Sequence, residues 1–212
     1  MNVTIFGATG GVGREAVRQA LGDGHSVTAV VRDSSELGLT DRGLDIVRVS
    51  SPLRADALGR AVTGADAVLS AIGPRGRTDG PVASTATRAI LAAMHAADVD
   101  RFVAVSAAPV GPAPVDEGFL NRRLLLPLVG TLLRDLYADL AAMEAAIAAS
   151  ATVWTVLRPP KLTNKPLSGR YRTQLGGAVP RGYSISRADV AHAMLAAISD
   201  SATFRRAVGV AY

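Results

Sequence analysis

The sequence predicts a single α/β domain, residues 1–212, in which a doubly wound parallel sheet carries helices on both faces. Short apolar runs alternate with longer segments of helical periodicity along most of the chain. The runs are apolar at nearly every position, which is typical of strands buried on both faces of a parallel sheet. No linker-like or repetitive segment divides the 212 residues, a length that fits one domain with a sizeable core.

Five strands and three helices are predicted for the first half of the chain. The strands are residues 3–6, 26–31, 45–49, 66–72 and 101–107. The helices are residues 13–24, 56–65 and 82–97, and the first of them ends in glycine, a common C-terminal signal. Because strands that alternate with helices are joined by right-handed crossovers, neighbouring strands are expected to be parallel.

The alternation changes after residue 107. A loop rich in proline and glycine, residues 108–118, precedes a helix predicted from about 132 to 150 and a strand at 152–157. Residues 158–172 are polar and expected to be irregular, and the last predicted helix is 186–200 with Ser186 as N-cap. We expect residues 108–136 and 158–186 to supply C-terminal substrate loops over the carboxyl edge of the sheet.

The composition excludes several kinds of site. The chain has no cysteine, which rules out disulfides, thiolate metal sites and cysteine nucleophiles. Its three histidines, His25, His95 and His192, are far apart in the sequence, so we expect no metal site. The net charge of +5 is spread over scattered arginines with only 4% aromatic residues, which argues against nucleic-acid binding and favours phosphate-bearing cofactors.

No secretion signal or membrane-spanning segment is predicted. The N-terminal residues lack a basic region followed by a long apolar one, and no uninterrupted apolar run is long enough to cross a bilayer. We therefore expect a cytoplasmic protein that has no membrane partner and acts on a small-molecule acceptor. We expect it to be a monomer or a weak homodimer.

A glycine-rich segment, FGATGGVG, follows the first strand and opens the first helix. Its glycines Gly7, Gly10 and Gly13 suit a sharp bend, a close approach of a pyrophosphate to the backbone, and close packing of helix on strand. The alternative is a tight strand-to-helix turn that binds nothing, but the strand–turn–helix setting favours a dinucleotide site. The expected cofactor-binding residues of this turn are Gly7, Thr9, Gly10, Gly11, Val12 and Gly13.

The GxxGxxG spacing of this turn resembles that of the short-chain dehydrogenase/reductase superfamily, in particular its atypical branches. Further segments resemble the biliverdin-IXβ reductase/flavin reductase group in the same order: GHSVTAVVRDSSEL, GADAVLSAIGPRG, RFVAVSA, LRPPKLTNKPLSGRY and SISRADVAHAML. The resemblance covers nearly the whole chain and implies a Rossmann-type fold, NADPH as cofactor and hydride transfer. The wider family, with its NmrA-like relatives, also includes proteins that bind NADP without turning it over.

The segment RDSS, residues 32–35, bears on the choice of cofactor. An acidic side chain at the end of the second strand would bind the ribose hydroxyls of NAD, and Asp33 lies at a suitable distance from the glycine turn. An arginine there would instead hold the 2′-phosphate of NADP, and Arg32 comes first after the apolar run. The resemblance implies that the arginine and serines, Arg32 with Ser34 and Ser35, hold this phosphate. We expect NADP(H) to be preferred over NAD(H).

Other expected cofactor contacts follow the fourth and sixth strands. Residues Ala71, Ile72, Gly73 and Arg75 would border the ribose and nicotinamide side, and Pro159 would form a rigid wall with Pro160. In this superfamily an aspartate after the third strand often binds the adenine amino group. The corresponding stretch here is VSSPL, so the aspartate contact is not expected.

The reacting residues expected from the sequence are Ser106 and Lys161. None of the four tyrosines is followed four residues later by lysine, so the tyrosine–lysine acid of many short-chain dehydrogenases is absent. Ser106 ends the fifth strand, where the resemblance implies a serine on the substrate side. Lys161 replaces the histidine that follows the paired prolines in the reductase group, and its ammonium would stabilise negative charge or bind an acidic acceptor.

These observations favour an NADPH-dependent oxidoreductase that transfers hydride to a planar conjugated acceptor, such as a flavin, a quinone-like compound or a tetrapyrrole-like compound. Two alternatives stay open. One is an NADPH-dependent ketone or imine reductase of specialised metabolism, with Ser106 and Lys161 polarising the acceptor. The other is a non-catalytic, NmrA-like NADP sensor.

Overall fold

The computed structural model describes residues 1–33, 35–50, 58–73, 80–112 and 134–212. Its strands are β1 (Asn2–Phe6), β2 (Ser26–Arg32), β3 (Leu44–Val49), β4 (Ala67–Ser70), β5 (Arg101–Val105), β6 (Val153–Arg158), β7 (Lys161–Thr163), β8 (Arg172–Leu175), β9 (Ser184–Ser186) and β10 (Arg206–Ala211). Its α-helices are α1 (Gly11–Gly22), α2 (Gly59–Val62), α3 (Val82–Ala96), α4 (Arg134–Ala148) and α5 (Arg187–Ala197).

Eight strands form one sheet in the order β3-β2-β1-β4-β5-β6-β10-β8. Every pair in it is parallel except the edge pair of β10 and β8, which is antiparallel. The chain order reverses between β1 and β4, and ligands of such sheets bind in the crevice beyond the carboxyl ends of the strands at this point. The structure confirms the doubly wound sheet of the Rossmann type, and it adds an antiparallel edge to the predicted parallel sheet.

The sheet separates two apolar layers. On one face α1 and α5 pack against the strands through residues such as Val17, Ala20 and Met194. On the other face α2, α3 and α4 supply residues such as Met94 and Met143. Since β1 sends side chains into both layers and β4 is buried at every position, the continuous apolar runs of the sequence are explained by burial on both faces.

Several predicted boundaries differ from the observed ones. The first helix begins at Gly11 rather than 13, because the glycines themselves form its first turn. The fourth and fifth strands end at Ser70 and Val105, so their last predicted residues lie beyond the sheet edge. The last helix ends at Ala197, and the predicted helix 56–65 appears as Gly59–Val62, with residues 56 and 57 outside the described part of the chain.

The last four strands, β7 to β10, were not predicted. Residues 158–172, expected to be irregular, contain β7, which pairs with β9 in a separate two-stranded sheet. Strand β10 begins at Arg206, directly after Arg205, and contains Gly209, so its apolar pattern is weak. Gly209 is required by a close approach, since a Cβ there would lie 2.3 Å from the carbonyl oxygen of Gly177.

A buried arginine joins the amino ends of the central strands to the end of α5. Arg101, at the start of β5, is 8% exposed, and its guanidinium lies 4.6 Å from the ring centre of Phe204. It donates to the carbonyl oxygens of Phe102, Val153, Ala197 and Ile198 and to Oγ1 of Thr155. Burial lowers the pKa of Arg101 to about 10, against the opposing effect of Asp200, so the side chain stays cationic at neutral pH.

We predict that Arg101→Met lowers the free energy of unfolding by about 3 kcal/mol or more, because several buried acceptors lose their donor at once. Urea unfolding at pH 7 measures this loss. Arg206→Met is the matched control, since Arg206 is exposed on β10. A loss for Arg101→Met no larger than that of the control would contradict the role assigned to Arg101.

Candidate functional site

The turn between β1 and α1 is built on close backbone contacts that exclude side chains. Gly7 has a φ of 73°, and its carbonyl oxygen accepts a hydrogen bond of 2.9 Å from the amide of Gly10. A Cβ on Gly13 would lie 2.1 Å from the carbonyl oxygen of Gly7, and a Cβ on Gly7 would lie 2.7 Å from the carbonyl of Ala71. The fold therefore requires glycine at positions 7 and 13.

Gly10 has a different role in this turn. A Cβ on Gly10 would lie 3.2 Å from the carbonyl oxygen of Gly7, so the turn would have to shift by a few tenths of an ångström, far less than at Gly7 or Gly13. Gly10 is the N-cap of α1, with no side-chain cap and no acidic residue in the first turn. The first amides of a helix have no intrahelical acceptor and carry partial positive charge. The turn thus presents bare backbone donors to an anion.

The loop after β4 meets this turn at the point where the strand order reverses. The amide of Ala71 donates to the carbonyl oxygen of Phe6, and the peptide joining Ala71 and Ile72 packs against Gly7. Val12 is buried and Thr9 half-buried within the same turn. The structure therefore brings together the residues predicted from the two segments, Gly7, Thr9, Gly10, Gly11, Val12, Gly13, Ala71 and Ile72, with Gly73 next in the chain. Arg75 lies outside the described residues.

Arg32 is the last residue of β2, and its side chain is exposed at the carboxyl edge. Asp33 is also exposed, and its amide donates to the carbonyl oxygen of Val49 at 3.2 Å. Ser35 is 8% exposed, so it lies inside the turn, whereas Ser34 and the residues 51 and 52 of VSSPL are outside the described part.

The sequence analysis missed a second cation at this end of the sheet. Arg48 of β3 donates through Nη1 to the carbonyl oxygens of Ser35 at 2.9 Å and Asp33 at 3.3 Å. Arg48 is exposed between the buried Val47 and Val49. This alternation was the available signal for a side chain on the open face of the edge strand.

Ser106 follows β5 at the carboxyl edge. Its amide donates to the carbonyl oxygen of Leu157 at 2.8 Å, and the amide of Ala108 donates to the carbonyl oxygen of the buried Pro159 at 2.9 Å. These bonds fix the backbone of the two segments against each other. The Ser106 hydroxyl is buried, and in the described part of the chain it has no hydrogen-bond partner.

An ion pair fixes the position of the paired prolines. Arg158 ends β6, and its Nε lies 3.1 Å and 3.2 Å from the two carboxylate oxygens of Glu144 on α4. Gly111 packs on the same guanidinium, since a Cβ there would lie 2.5 Å from Nη1 of Arg158. The side chain therefore holds the end of β6, α4 and the 108–111 loop together. The sequence analysis did not single out either partner of this pair.

Lys161 and Tyr137 are not arranged as a catalytic tyrosine–lysine pair. Lys161 starts β7 and is exposed, and its ammonium forms no hydrogen bond or ion pair with any residue that the structure describes. Tyr137 lies on α4 against the apolar layer there. Burial raises the pKa of Tyr137, which is the opposite of what a neighbouring lysine would do.

A third arginine, also missed by the sequence analysis, lies beside the glycine turn. A Cβ on Gly11 would be 2.5 Å from Cδ and 2.8 Å from Nε of Arg187, so the arginine side chain lies directly on Gly11. Nη1 of Arg187 donates to Oδ1 of Asn164 at 2.7 Å. Arg187 is the first residue of α5. From the sequence, only its position after the predicted N-cap Ser186 could be inferred, and not its contact with Gly11.

Asp189 ties the substrate-side segment to α5. It is 0% exposed, and its carboxylate accepts hydrogen bonds from Tyr212 at 2.6 Å, from Ser168 at 2.9 and 3.0 Å, from Gly169 at 2.8 Å and from Ser186 at 2.9 Å. Burial alone would raise the pKa of Asp189, but these hydrogen bonds outweigh it and lower the pKa to about 2. Ser186 in turn accepts from the amide of Asp189, which confirms it as the N-cap.

We predict an acid-labile contribution of Asp189 to stability. Because its folded-state pKa of about 2 lies below the ordinary 3.8, the ionised carboxylate stabilises the fold above about pH 4, and this contribution is lost as the pH falls toward 2. It amounts to about 2 kcal/mol. Urea unfolding between pH 5 and pH 2 should show a weaker pH dependence for Asp189→Asn than for the wild type. Asp45→Asn, an exposed control, should keep the wild-type pH dependence.

Two observations on the described residues limit the kinds of site. No group of three or more histidine, cysteine, aspartate or glutamate side chains in them is arranged to hold a metal ion. No helix among them has the length and apolar character needed to cross a membrane.

Comparison with known proteins agrees with this geometry. The chain is 31% identical over 213 residues to an uncharacterized chloroplastic protein of Arabidopsis thaliana, with 96% of this chain and 74% of the relative covered. A short-chain dehydrogenase/reductase (wide type) of Veillonella parvula, in complex with NADP, superposes with a TM-score of 0.81 at 21% identity and covers 100% of this chain and 94% of its own. ChuY, an anaerobilin reductase of Escherichia coli O157:H7, has a TM-score of 0.81 at 19% identity and covers 100% and 97%.

The two structural likenesses establish the Rossmann fold. The family follows from the sequence, because the model of the NAD(P)H-binding family matches residues 7–201, from the first glycine of the turn to beyond the last helix. The chain therefore belongs to the NAD(P)H-binding family.

Proposed function

We propose that the protein is an NADPH-dependent oxidoreductase that transfers hydride to a planar conjugated acceptor, such as a flavin, a quinone-like or a tetrapyrrole-like compound. The observation that carries the proposal is the chemistry of the carboxyl edge beside the glycine turn. Among the described residues this edge offers a buried, unpartnered hydroxyl on Ser106, and neither Tyr137 nor Lys161 is arranged as a committed acid.

A conjugated acceptor is the class least dependent on such an acid. Bound nicotinamide supplies the hydride, and the reduced acceptor can take its proton from solvent. The protein then contributes proximity and orientation, which a rigid wall and a fixed strand end provide. Pro159 and the backbone of Ser106 form such a frame. The amide of Ser106 donates to the carbonyl oxygen of Leu157, and the amide of Ala108 donates to that of Pro159.

Ser106 is proposed to touch the reacting partners. Its hydroxyl lies at the end of β5 with no competing partner in the described residues, so it is able to donate to an acceptor oxygen or nitrogen. Such a bond would orient the acceptor and stabilise charge that develops on it.

The preference for NADP(H) over NAD(H) is supported by two arginines at the ends of β2 and β3. Arg32 is exposed and forms no ion pair in the described part of the chain. Arg48 donates to the carbonyl oxygens of Asp33 and Ser35, in the turn after β2. A guanidinium at this place would bind a 2′-phosphate through charge-assisted hydrogen bonds. Asp33 is exposed beside it, and we propose that it points away from the ribose.

The reductase activity of ChuY supports a tetrapyrrole as one acceptor class for this chain. A ketone or imine reductase is the second candidate, and the Ser106 hydroxyl, which has no partner among the described residues, favours it, because a single donor is enough to polarise a carbonyl or imine. The small-molecule partner and the cytoplasmic location are part of the proposal.

One assay separates these functions. NADPH oxidation would be followed with FMN, riboflavin, a soluble quinone, a linear tetrapyrrole and a panel of ketones and cyclic imines. Turnover of the conjugated compounds alone is the expected result. Turnover restricted to ketones or imines would favour the second candidate. A protein that binds NADPH tightly but oxidises it with none of them would be the non-catalytic sensor.

We predict that Gly10→Val abolishes NADPH binding in a folded protein. The new side chain would occupy the space of the pyrophosphate, while its Cβ, 3.2 Å from the carbonyl oxygen of Gly7, asks the turn to shift by only a few tenths of an ångström. Fluorescence titration with NADPH and a thermal melt measure binding and folding separately. Gly13→Val is the contrast variant, since its Cβ would clash with Gly7 and should lower the melting temperature. Wild-type affinity in Gly10→Val would contradict the placement of the phosphates.

We predict that Arg32→Ala weakens NADPH binding by about 1.5–3 kcal/mol, the size of a hydrogen bond to a charged group, and leaves NADH binding nearly unchanged. Arg42→Ala is the control, because Arg42 is an exposed arginine at the opposite end of β3. Dissociation constants for both cofactors decide the matter. Equal losses for NADPH and NADH would show that Arg32 does not read the 2′-phosphate.

We predict that Lys161→Ala raises KM for anionic acceptors and leaves kcat nearly intact, since the ammonium is exposed and binds rather than donates a proton. Steady-state kinetics with FMN and with uncharged riboflavin measure the difference, and Lys165→Ala is the nearby exposed control. A fall in kcat of about 10²-fold for both acceptors is typical of a removed transition-state donor, and it would move the assignment to carbonyl or imine reduction.

A further inference from the structure

Arg187 is a cation whose position local stability does not explain. It is the first residue of α5, and a positive charge at a helix N-terminus is unfavourable because the amides there already carry partial positive charge. In the described residues it forms no ion pair. The acidic residue of the same turn, Asp189, accepts its hydrogen bonds from Ser168, Gly169, Ser186 and Tyr212.

The charge of Arg187 lies beside a second region of uncompensated positive potential. Its side chain rests on Gly11, the first residue of α1, with Cδ and Nε 2.5 Å and 2.8 Å from the place of a Cβ. Helix α1 has neither a side-chain cap nor an acidic residue in its first turn. Two positive groups in contact without a counter-charge favour a bound anion between them, and a dinucleotide places its pyrophosphate at this helix end.

The position of Arg187 is rigid at its base and adjustable at its tip. Gln19 of α1 donates to the carbonyl oxygen of Ala188 at 2.9 Å, which locks the start of α5 against α1. At the other end, Nη1 donates to Oδ1 of Asn164 at 2.7 Å. The guanidinium forms no other hydrogen bond with the residues that the structure describes. A planar guanidinium has five donors, so most of them remain for a phosphate.

We propose that Arg187 binds the pyrophosphate of the cofactor over Gly11 and that Asn164 is a positioning residue that holds the guanidinium in place. The proposal rests on the proposed NADP(H) function and adds a phosphate ligand from the opposite end of the chain. It also links Asn164, which directly follows β7, to the cofactor through its hydrogen bond with Arg187. The substrate-side segment is thereby joined to the cofactor phosphates as well as to Asp189.

The test compares ligands that contain or lack the pyrophosphate. Binding of NADP⁺ and of adenosine 2′-monophosphate is measured by calorimetry for the wild type and for Arg187→Met, which keeps the length of the side chain and removes the charge. NADP⁺ affinity should fall about tenfold or more, as expected for a lost charge-assisted hydrogen bond, while the affinity for adenosine 2′-monophosphate should not change. Arg187→Lys should recover part of the loss.

Arg18→Met is the control for net charge, because Arg18 is exposed farther along the same helix α1. It should leave both affinities unchanged. Equal losses for the two ligands in Arg187→Met, or no loss for NADP⁺, would overturn the proposal. A wild-type protein that does not bind NADP⁺ at all would instead refute the proposed function on which it rests.

The role of Asn164 is tested by a double-mutant cycle. Asn164→Ala alone should weaken NADP⁺ binding by a few-fold without affecting adenosine 2′-monophosphate. In the Arg187→Met background the same change should have no further effect, because Asn164 acts only through the guanidinium. Losses that add independently would show that Asn164 does not position Arg187.

Discussion

The contact between Gly13 and the carbonyl oxygen of Gly7 fixes the geometry on which the site depends. With 2.1 Å between that oxygen and the place of a Cβ, no other residue fits at position 13 without moving helix or strand. This contact sets the depth at which α1 starts above β1 and so aims its first amides into the crevice between β1 and β4. Gly7 transmits the same constraint to the β4 loop through its contact with Ala71.

Helix α5 completes the site from the far end of the chain. Its first turn places Arg187 against the glycine turn and Asp189 against the Ser168–Gly169 backbone. Its body packs on α1 in the same apolar layer, and Arg101 binds the carbonyls at its C-terminal end. In the proposed function, the cofactor side and the substrate-side segment thus share one helix as their support.

The amino-acid sequence alone indicated the first six strands, the glycine turn and the N-cap Ser186, because each depends on residues close together in the chain. It missed β7 to β10, whose apolar patterns are short and whose pairings, β7 with β9 and β8 with β10, join segments distant in the chain. The burial of Ser35 and the approach of Arg48 to the turn after β2 also depend on packing between strands. Arg187 escaped notice because an arginine after a helix cap gives no sign of what it touches. Its significance comes from Gly11, near the other end of the chain.

The buried hydroxyl of Ser106 has a thermodynamic consequence. Among the described residues the Ser106 hydroxyl has no hydrogen-bond partner, and a hydroxyl that is removed from water without gaining a hydrogen bond destabilises the folded state by about 1–3 kcal/mol. A ligand that bonds to it removes this penalty, so part of the affinity for such a ligand is already stored in the free protein. The backbone around Ser106 is held by the bonds to Leu157 and Pro159, so little conformational entropy remains to be lost when the ligand arrives. If the acceptor bonds to Ser106 as proposed, the residue that lowers the stability of the empty fold is also the one that increases selectivity for a hydrogen-bonding ligand over an apolar ligand of the same shape.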